Sequence, residues 1–195
     1  MTILRDQLLA GRAIALAGAG NENVGEALLA LGARVERVPD GAGRGTDEDS
    51  AGEWARARAP LDALVYDARP AFGDGGDTGL VAALEQGWAA VREVAAGALI
   101  PAADPAAVVL IGPTGNAGAL ACAARAALEN VARTLSVEWA RYGVTTTMIA
   151  PGPATSEAQI AETVCFLVSR GGGYLSGCRL DLGELAPATD AGGRP

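Results

Sequence analysis

The sequence predicts an α/β protein with a doubly wound parallel sheet of about six to seven strands and helices on both faces. Short apolar runs alternate along the chain with longer segments of helical periodicity, which is the order expected of parallel strands joined by crossover helices. The run Ala106–Ile111 is almost purely apolar, as expected of a strand covered on both faces. The first apolar run leads directly into a glycine-containing turn.

Each element is predicted from a local pattern. Apolar or β-branched runs predict strands at residues 13–19, 34–38, 61–66, 106–111, 144–149 and 177–182. Helical spacing of apolar residues predicts helices at residues 24–31, 53–59, 80–100, 117–142 and 156–169. Pro101 and Gly143 mark the ends of the two long helices, and Ser156 is a predicted N-cap. Segments 40–50 and 71–78 are predicted loops.

The chain is predicted to form one domain over residues 1–183, followed by a flexible C-terminal tail at residues 184–195. The tail has a low-complexity composition of Pro, Ala and Gly, and its first residues follow the last predicted strand. Neither a repeat nor a linker divides the rest of the sequence.

Charge and composition exclude several classes of function. The net charge of −8 argues against a nucleic acid or an anionic membrane as partner, because both require a basic face. The sequence has no His and no Lys, so all 15 of its cationic side chains are Arg. The chain therefore lacks the usual neutral-pH proton shuttle, any Ser-His-Asp or Cys-His arrangement, and any Schiff-base lysine.

The three cysteines do not have the spacing of a metal site or a disulfide framework. Cys122, Cys165 and Cys178 are scattered and form no Cys-x-x-Cys pair, so we expect no bound metal. They are interpreted as small buried hydrophobes in a reducing compartment. No segment has the pattern of a signal peptide or the length of a membrane span, and we expect a cytoplasmic protein.

Five landmarks in a fixed order resemble the short-chain dehydrogenase/reductase family across residues 13–183. They are the glycine turn at 17–25, Leu-Val-Tyr-Asp-Ala-Arg at 64–69 (similar to "LVNNAG"), Ala-Cys-Ala-Ala-Arg-Ala-Ala-Leu at 121–128 (similar to "YxASKAAL"), Ala-Pro-Gly at 150–152, and 174–183 (similar to "YITG…VDGG"). The resemblance implies a Rossmann-like fold, a nicotinamide cofactor at the glycine turn and oxidoreductase chemistry.

The same resemblance shows that the catalytic motif Tyr-x-x-x-Lys is absent, so the chain looks like a degenerate member of the family. Family members exchange a proton through a Tyr whose pKa is lowered by a Lys four residues later. Ala121 stands at the Tyr position and Arg125 at the Lys position. The strand that ends in Ser-Ser in the family here ends with Pro113 and Thr114, and Thr114 is one residue out of register. This chain cannot use the Tyr–Lys mechanism.

The cofactor turn is also altered. Gly18 and Gly25 are one residue further apart than the first and last glycines of the family pattern, and Asn23 replaces the middle glycine. Glu22 would place a carboxylate beside the pyrophosphate, which is repulsive. Gly18, Gly20, Asn23 and Gly25 are therefore weak, vestigial candidates for cofactor binding. The turn is interpreted as a strand–helix connection, and the alternative is a reshaped nucleotide site.

The chain is truncated relative to the family. The stretch before Leu61 is too short for a normal strand–helix unit, and the substrate-covering loop is absent between Pro153 and Ser156. A site without this lid is open to water, which weakens catalytic electrostatics. Asp40 and the acidic run 47–49 would repel a 2′-phosphate. If a dinucleotide binds, we expect NAD(H) in preference to NADP(H), and otherwise no cofactor in this chain.

The candidate assembly surfaces are intact. Helices 80–100 and 117–142 carry more apolar surface than packing on a sheet requires. On the second helix, the apolar stripe is widened by Ala123, Ala126, Ala127 and Val137. The resemblance implies that these helices, together with strand 177–182, contact other subunits. The expected partner is an active short-chain dehydrogenase homologue that carries the NAD, and the expected assembly is a heterotetramer.

Three hypotheses follow. The first is a non-catalytic subunit that supports an active NAD-dependent dehydrogenase for alcohol or hydroxyacyl substrates. The second is an NAD(P)-dependent oxidoreductase or another enzyme with an altered site at Tyr66, Asp67, Thr114 and Arg125, in which Asp67 acts as a base and Arg125 binds a carboxylate or phosphate. The structural alternative for Arg125 is an ion pair with Asp67 or a charge on the helix surface. The third is a homo-oligomeric ligand-binding scaffold.

Overall fold

The sheet is parallel throughout, as the sequence predicts. The computed structural model describes residues 4–39, 50–102 and 104–183. Within these ranges the strands are β1 (Ala13–Ala17), β2 (Arg34–Arg37), β3 (Ala63–Asp67), β4 (Ala106–Ile111), β5 (Val144–Pro151) and β6 (Cys178–Leu182). They form one sheet in the order β2-β1-β3-β4-β5-β6 with only parallel pairing. From β1 the chain first runs outward to β2 and then crosses back to β3 on the other side of β1, so the direction of winding reverses between β1 and β3. Ligands of such folds bind at this point, outside the carboxyl ends of the strands.

Helices cover both faces of the sheet. They are α1 (Glu22–Ala30), α2 (Ser50–Arg58), α3 (Arg69–Phe72), α4 (Asp77–Val94), α5 (Ile100–Ala102), α6 (Ala121–Glu138) and α7 (Glu157–Leu167). Helices α2, α4 and α6 contribute to one buried apolar cluster, and α1 and α7 contribute to another on the opposite face. The doubly wound α/β fold is therefore confirmed.

The alternation of side chains along β3 shows how one strand serves both clusters. Leu64 and Tyr66 belong to the cluster under α4 and α6, whereas Ala63 and Val65 belong to the cluster under α1 and α7. All four side chains are buried, because a strand with helices on both faces has no solvent side. The edge strands β2 and β6 are more exposed than the central strands.

Several element boundaries differ from the prediction for local reasons. Helix α6 begins at Ala121 and not at residue 117, because Gly118 has φ +145°, which is incompatible with a helix. Helix α4 ends at Val94 and continues as a π-helical turn, Ala95–Leu99. The predicted cap at Ser156 is confirmed, since its side chain accepts a hydrogen bond from the Gln159 N–H in a capping box.

Two predicted features lie outside the described residues, namely the flexible tail at 184–195 and most of the acidic loop at 40–50, which includes the run 47–49. Within the described ranges, none of the helices combines the length and the apolar character that crossing a lipid bilayer requires.

Candidate functional site

The candidate site lies at the carboxyl edge of the sheet, where the turn after β1 meets the loop after β3. Gly18 adopts φ +87°, and a Cβ at this position would collide with the carbonyl oxygen of Asp67. Gly20 adopts φ +71° and lies against the ring of Pro70. The two glycines therefore allow the two loops to be in direct contact at the point where the strand order reverses.

Two residues that the sequence did not single out complete this turn. The buried side chain of Asn21 donates hydrogen bonds from Nδ2 to the carbonyl oxygens of Ala17, at 3.3 Å, and Gly18, at 2.9 Å. Its Oδ1 accepts a hydrogen bond of 2.6 Å from Nη1 of Arg37, the last residue of β2. The position of Arg37 at the carboxyl end of a predicted strand is the signal that could have identified it.

The other residues of the altered glycine turn belong to α1. Glu22 and Asn23 lie in the first turn of the helix and are exposed, and Asn23 lines a cleft between α1 and α7. Gly25 is buried, and a Cβ there would lie 3.2 Å from Nη2 of Arg37. The first helix therefore begins at Glu22, two residues before the predicted start at residue 24.

The carboxylate of Asp67 is fully buried and bound by Arg69. Arg69 donates from Nε to Oδ1 at 3.0 Å and from Nη2 to Oδ2 at 2.7 Å, and its backbone N–H donates to Oδ1 at 3.0 Å. Asp67 is the last residue of β3, and Arg69 is the first residue of the short helix α3. The carboxylate oxygens of Asp67 are thus engaged by a single guanidinium and one amide.

Arg69 also binds a carboxylate from a distant part of the chain. Its Nη1 and Nη2 donate to Oε1 and Oε2 of Glu157 at 2.5 and 3.0 Å. Glu157 is the first residue of α7, immediately after the Ser156 cap. The bidentate pair joins the loops that follow β3 and β5, so it bridges the carboxyl edge of the sheet past the end of β4.

Burial and the ion pair have opposite effects on the pKa of Asp67. Burial raises this pKa because it disfavours the charged carboxylate, whereas the hydrogen bonds and the charge of Arg69 lower it, and the net direction is upward. Burial lowers the pKa of Arg69, but its hydrogen bonds to Asp67 and Glu157 raise it and determine the net direction. A buried carboxylate held in this way has no free oxygen with which to accept a substrate proton.

The positions that resemble the family's proton-exchange residues carry no suitable group. Ala121 is fully buried at the start of α6, and Pro113 is buried in the loop after β4. Thr114 is half-buried in the same loop, and its carbonyl oxygen accepts a hydrogen bond from the N–H of Ala117. Thr114 is the only hydroxyl among these three positions, and no acid–base partner of it is found among the described residues.

Arg125 has a structural partner, although not the one expected. Its Nη2 donates to Oδ1 of Asp181 at 3.0 Å, and its Nη1 donates to the carbonyl oxygen of Pro151 at 3.3 Å. The expectation of an ion pair with Asp67 or of a helix-surface charge is wrong, because Arg125 is buried and points toward the ends of β5 and β6. Asp181 also binds Arg179.

Tyr66 does not lie in the candidate site. Its ring is buried under α4, where its hydroxyl donates a hydrogen bond of 2.8 Å to the carbonyl oxygen of Ala83. A Cβ at Gly87 would lie 2.6 Å from this ring, so α4 packs closely against it. Tyr66 is therefore a core residue and does not join Asp67, Thr114 and Arg125 at the carboxyl edge.

Two features of this edge oppose a bound dinucleotide. A pyrophosphate requires free N–H donors and positive potential at the first helix. Here Arg69 is committed to Asp67 and Glu157, and Glu22 adds a carboxylate in the first turn of α1. Among the described residues, no group of three or more His, Cys, Asp or Glu side chains is placed to hold a metal ion.

Comparisons with known proteins agree on the fold. No protein-family model and no curated protein matches the sequence. Among solved structures, the citronellol catabolism dehydrogenase of Pseudomonas aeruginosa PAO1 is 22% identical with a TM-score of 0.69, over 92% of this chain and 96% of that chain. The 3-oxoacyl-[acyl-carrier protein] reductase of Brucella melitensis is 12% identical with a TM-score of 0.70, over 91% of each chain.

A third neighbour is the enoyl-acyl carrier protein reductase of Bacillus cereus, whose structure contains NADP+. It is 13% identical with a TM-score of 0.67, over 89% of this chain and 95% of that chain. These structures are enzymes of the short-chain dehydrogenase/reductase family. At such identities the comparison establishes the architecture and not the activity. The chain therefore has the fold of the short-chain dehydrogenases/reductases.

Proposed function

We propose that this chain is a catalytically inactive, dehydrogenase-like subunit that assembles with an active NAD-dependent relative and supports it in a hetero-oligomer. The relative would act on an alcohol or hydroxyacyl substrate and would carry the NAD. The observation that carries the proposal is the fully buried methyl group of Ala121, at the position that resembles the catalytic Tyr of the short-chain dehydrogenases/reductases.

The contacts of Arg125 and Asp67 support the proposed absence of catalytic activity. Arg125 cannot take over the charge-supplying role, because its guanidinium is bonded to Asp181 and to a backbone carbonyl. Asp67 cannot act as a general base while Arg69 holds both of its oxygens. These contacts weaken the alternative of an oxidoreductase or another enzyme whose altered site uses Asp67 and Arg125.

The surface between α4 and α6 supports the assembly part of the proposal. The two helices form a groove of about 260 Å³ on the outside of the sheet. The groove is lined by Leu84, Gly87, Trp88, Val91, Leu110, Ala127, Leu128, Asn130 and Val131. Asn130 is its only residue with a polar side chain, so the groove is suited to the apolar face of another helix pair.

Exposed apolar side chains extend this groove along both helices. Val81 and Trp88 on α4 are 50% and 46% exposed, and Val137 on α6 is 79% exposed. Ala123 and Ala126 on α6 are also exposed, and such small side chains permit close approach of a partner helix. Exposed apolar side chains on two neighbouring helices are typical of a protein–protein interface.

Strand β6 is the second surface in the proposal. It is the last strand in the sheet order, so one of its edges pairs with no other strand in the described ranges. An open strand edge offers backbone donors and acceptors to another subunit. Partner contact through α4, α6 and β6 is compatible with a two-fold arrangement and with a heterotetramer.

Co-expression tests the proposed function. The chain would be produced together with a dehydrogenase of the same genome that carries the Tyr-x-x-x-Lys motif, and native mass spectrometry would give the composition of the complex. We expect a mixed oligomer that contains both chains. Replacing Val81 and Val137 by Glu should abolish it, because two charges would be buried in an apolar interface.

The matched control is L29E, because Leu29 is a similarly exposed apolar residue (57%) on α1, on the opposite face of the sheet. L29E should leave the mixed oligomer unchanged. Loss of the complex with L29E as well would refute the assignment of the interface to α4 and α6. A wild-type homo-oligomer with no affinity for the relative would support the homo-oligomeric ligand-binding scaffold instead.

A further inference from the structure

The bridge between Arg69 and Glu157 has a position and an anchoring that set it apart from ordinary surface ion pairs. Arg69 lies two residues after β3, and Glu157 begins the helix that follows β5. The two residues are 88 positions apart in the sequence, and their side chains meet over the carboxyl edge of the sheet. In doubly wound folds this edge is where a dinucleotide lies.

Both ends of the bridge are held in place. The Arg69 side chain is only 19% exposed and is fixed by the buried carboxylate of Asp67 beneath it. Glu157 is placed by the capping box of Ser156 and Gln159, and its charge is favourable in the first turn of α7. Because Arg69 is already fixed by Asp67, the pairing costs less side-chain entropy than one between two freely exposed side chains.

We infer that the Arg69–Glu157 ion pair closes the dinucleotide crevice of this chain, so that its own side chains bridge the loops that a bound cofactor would otherwise join. Two carboxylates, Asp67 and Glu157, already accept hydrogen bonds from all three nitrogens of the guanidinium. A pyrophosphate entering the crevice would have to displace Glu157 and would then face its negative charge. The closure depends on contacts within the chain and is independent of any partner subunit.

The test is to open the crevice and measure cofactor binding. The triple variant D67N/R69G/E157A removes the bridge, leaves no buried charge unpaired, and changes residues 67–69 to the Asn-Ala-Gly of the family pattern. Isothermal titration of the wild type with NADH and with NADPH should show no binding up to millimolar cofactor. The triple variant should bind at least one of the two cofactors with a dissociation constant at least about tenfold below that millimolar limit.

The control removes an ion pair on β2, away from the carboxyl edge of the sheet. R34A/E36A deletes an exposed pair on β2, in which Arg34 contacts the backbone near the amino end of β3. It should bind cofactor no better than the wild type does. Circular dichroism would establish that each variant is folded, and E157A alone, which keeps the Asp67–Arg69 pair, provides a milder opening of the crevice.

Two results would overturn the inference. One is micromolar binding of NADH or NADPH by the wild type, which would mean that the ion pair does not close the crevice. The other is a folded triple variant and a folded E157A variant that bind no more tightly than R34A/E36A. Neither result would affect the co-expression experiment, because assembly through α4 and α6 is measured without added cofactor.

Discussion

The guanidinium of Arg125 lies 3.0 Å from the carboxylate of Asp181 and 3.3 Å from the carbonyl oxygen of Pro151. The contacts connect α6 with the carboxyl ends of β5 and β6, which are brought together only by the fold. Arg125 is therefore a structural link between a helix and two strands.

The two members of this pair should differ in their importance for stability. Asp181→Ala leaves a buried guanidinium with only a carbonyl partner, and because the Asp181 side of the pair is 39% exposed to water, we expect a loss of about 1–2 kcal/mol in the free energy of unfolding. Arg125→Met replaces the buried charge by an apolar side chain and leaves the exposed Asp181 paired with Arg179, so we expect a loss below about 1 kcal/mol. Urea unfolding measures both. Equal losses would contradict the structural assignment.

Restoring the motif alone should not restore chemistry. In A121Y/R125K a phenol must enter a fully buried position that an alanine now fills. We expect overpacking to reduce the free energy of unfolding by about 1–3 kcal/mol, with no oxidation of alcohols by NAD+. Activity is measured by the absorbance of the reduced nicotinamide, with Arg125→Lys as the control. Cofactor reduction by the double variant would show that the remainder of the site is still functional.

The raised pKa of Asp67 predicts a specific pH dependence. Because the native state retains the Asp67 proton to higher pH than the unfolded state, wild-type stability should fall as pH rises from the ordinary pKa of 3.8 to the raised value. Asp67→Asn lacks this contribution, so the difference in unfolding free energy between the two proteins isolates it. A difference that grows in favour of the wild type with rising pH would mean that the pKa of Asp67 is lowered by Arg69 more than it is raised by burial.

The cysteines should differ in reactivity. Cys165 is fully buried, and its burial, followed by the charge of Glu162, raises the pKa of its thiol to about 11. We expect it to resist alkylation until the protein unfolds. The expectation of a buried residue is wrong for Cys122, which is exposed on α6. It should be alkylated in the free chain and protected in the mixed oligomer. Mass spectrometry after a short iodoacetamide pulse distinguishes the three sites. Rapid native labelling of Cys165 would contradict its placement.

Patterns in the sequence identify elements better than they identify contacts. The apolar run of β4 and the cap at Ser156 were predicted at the residues where the structure has them, because each depends on neighbours in the sequence. The Arg69–Glu157 and Arg125–Asp181 pairs were not predicted, because each joins residues at least 56 positions apart.

The character of a residue also depends on its surroundings in the fold. The sequence places Tyr66 next to Asp67 and so suggests a shared site. Successive strand residues face opposite sides of the sheet, however, and the ring of Tyr66 lies under α4. The role of Arg37 is not evident from its own segment, because it depends on a contact with Asn21 in the turn after the neighbouring strand β1. Such relationships require the strand order, which periodicity alone does not supply.

The most direct test of the account is the dehydrogenase activity of the isolated chain compared with that of the mixed oligomer. Each would be incubated with NAD+ and a panel of alcohol and hydroxyacyl substrates, and the reduced cofactor would be measured. The account predicts no turnover by the isolated chain and turnover by the mixed oligomer that disappears when the relative's catalytic Tyr is replaced by Phe. Turnover by the isolated wild-type chain that Asp67→Asn or Thr114→Val abolishes would contradict it and would establish an altered active site.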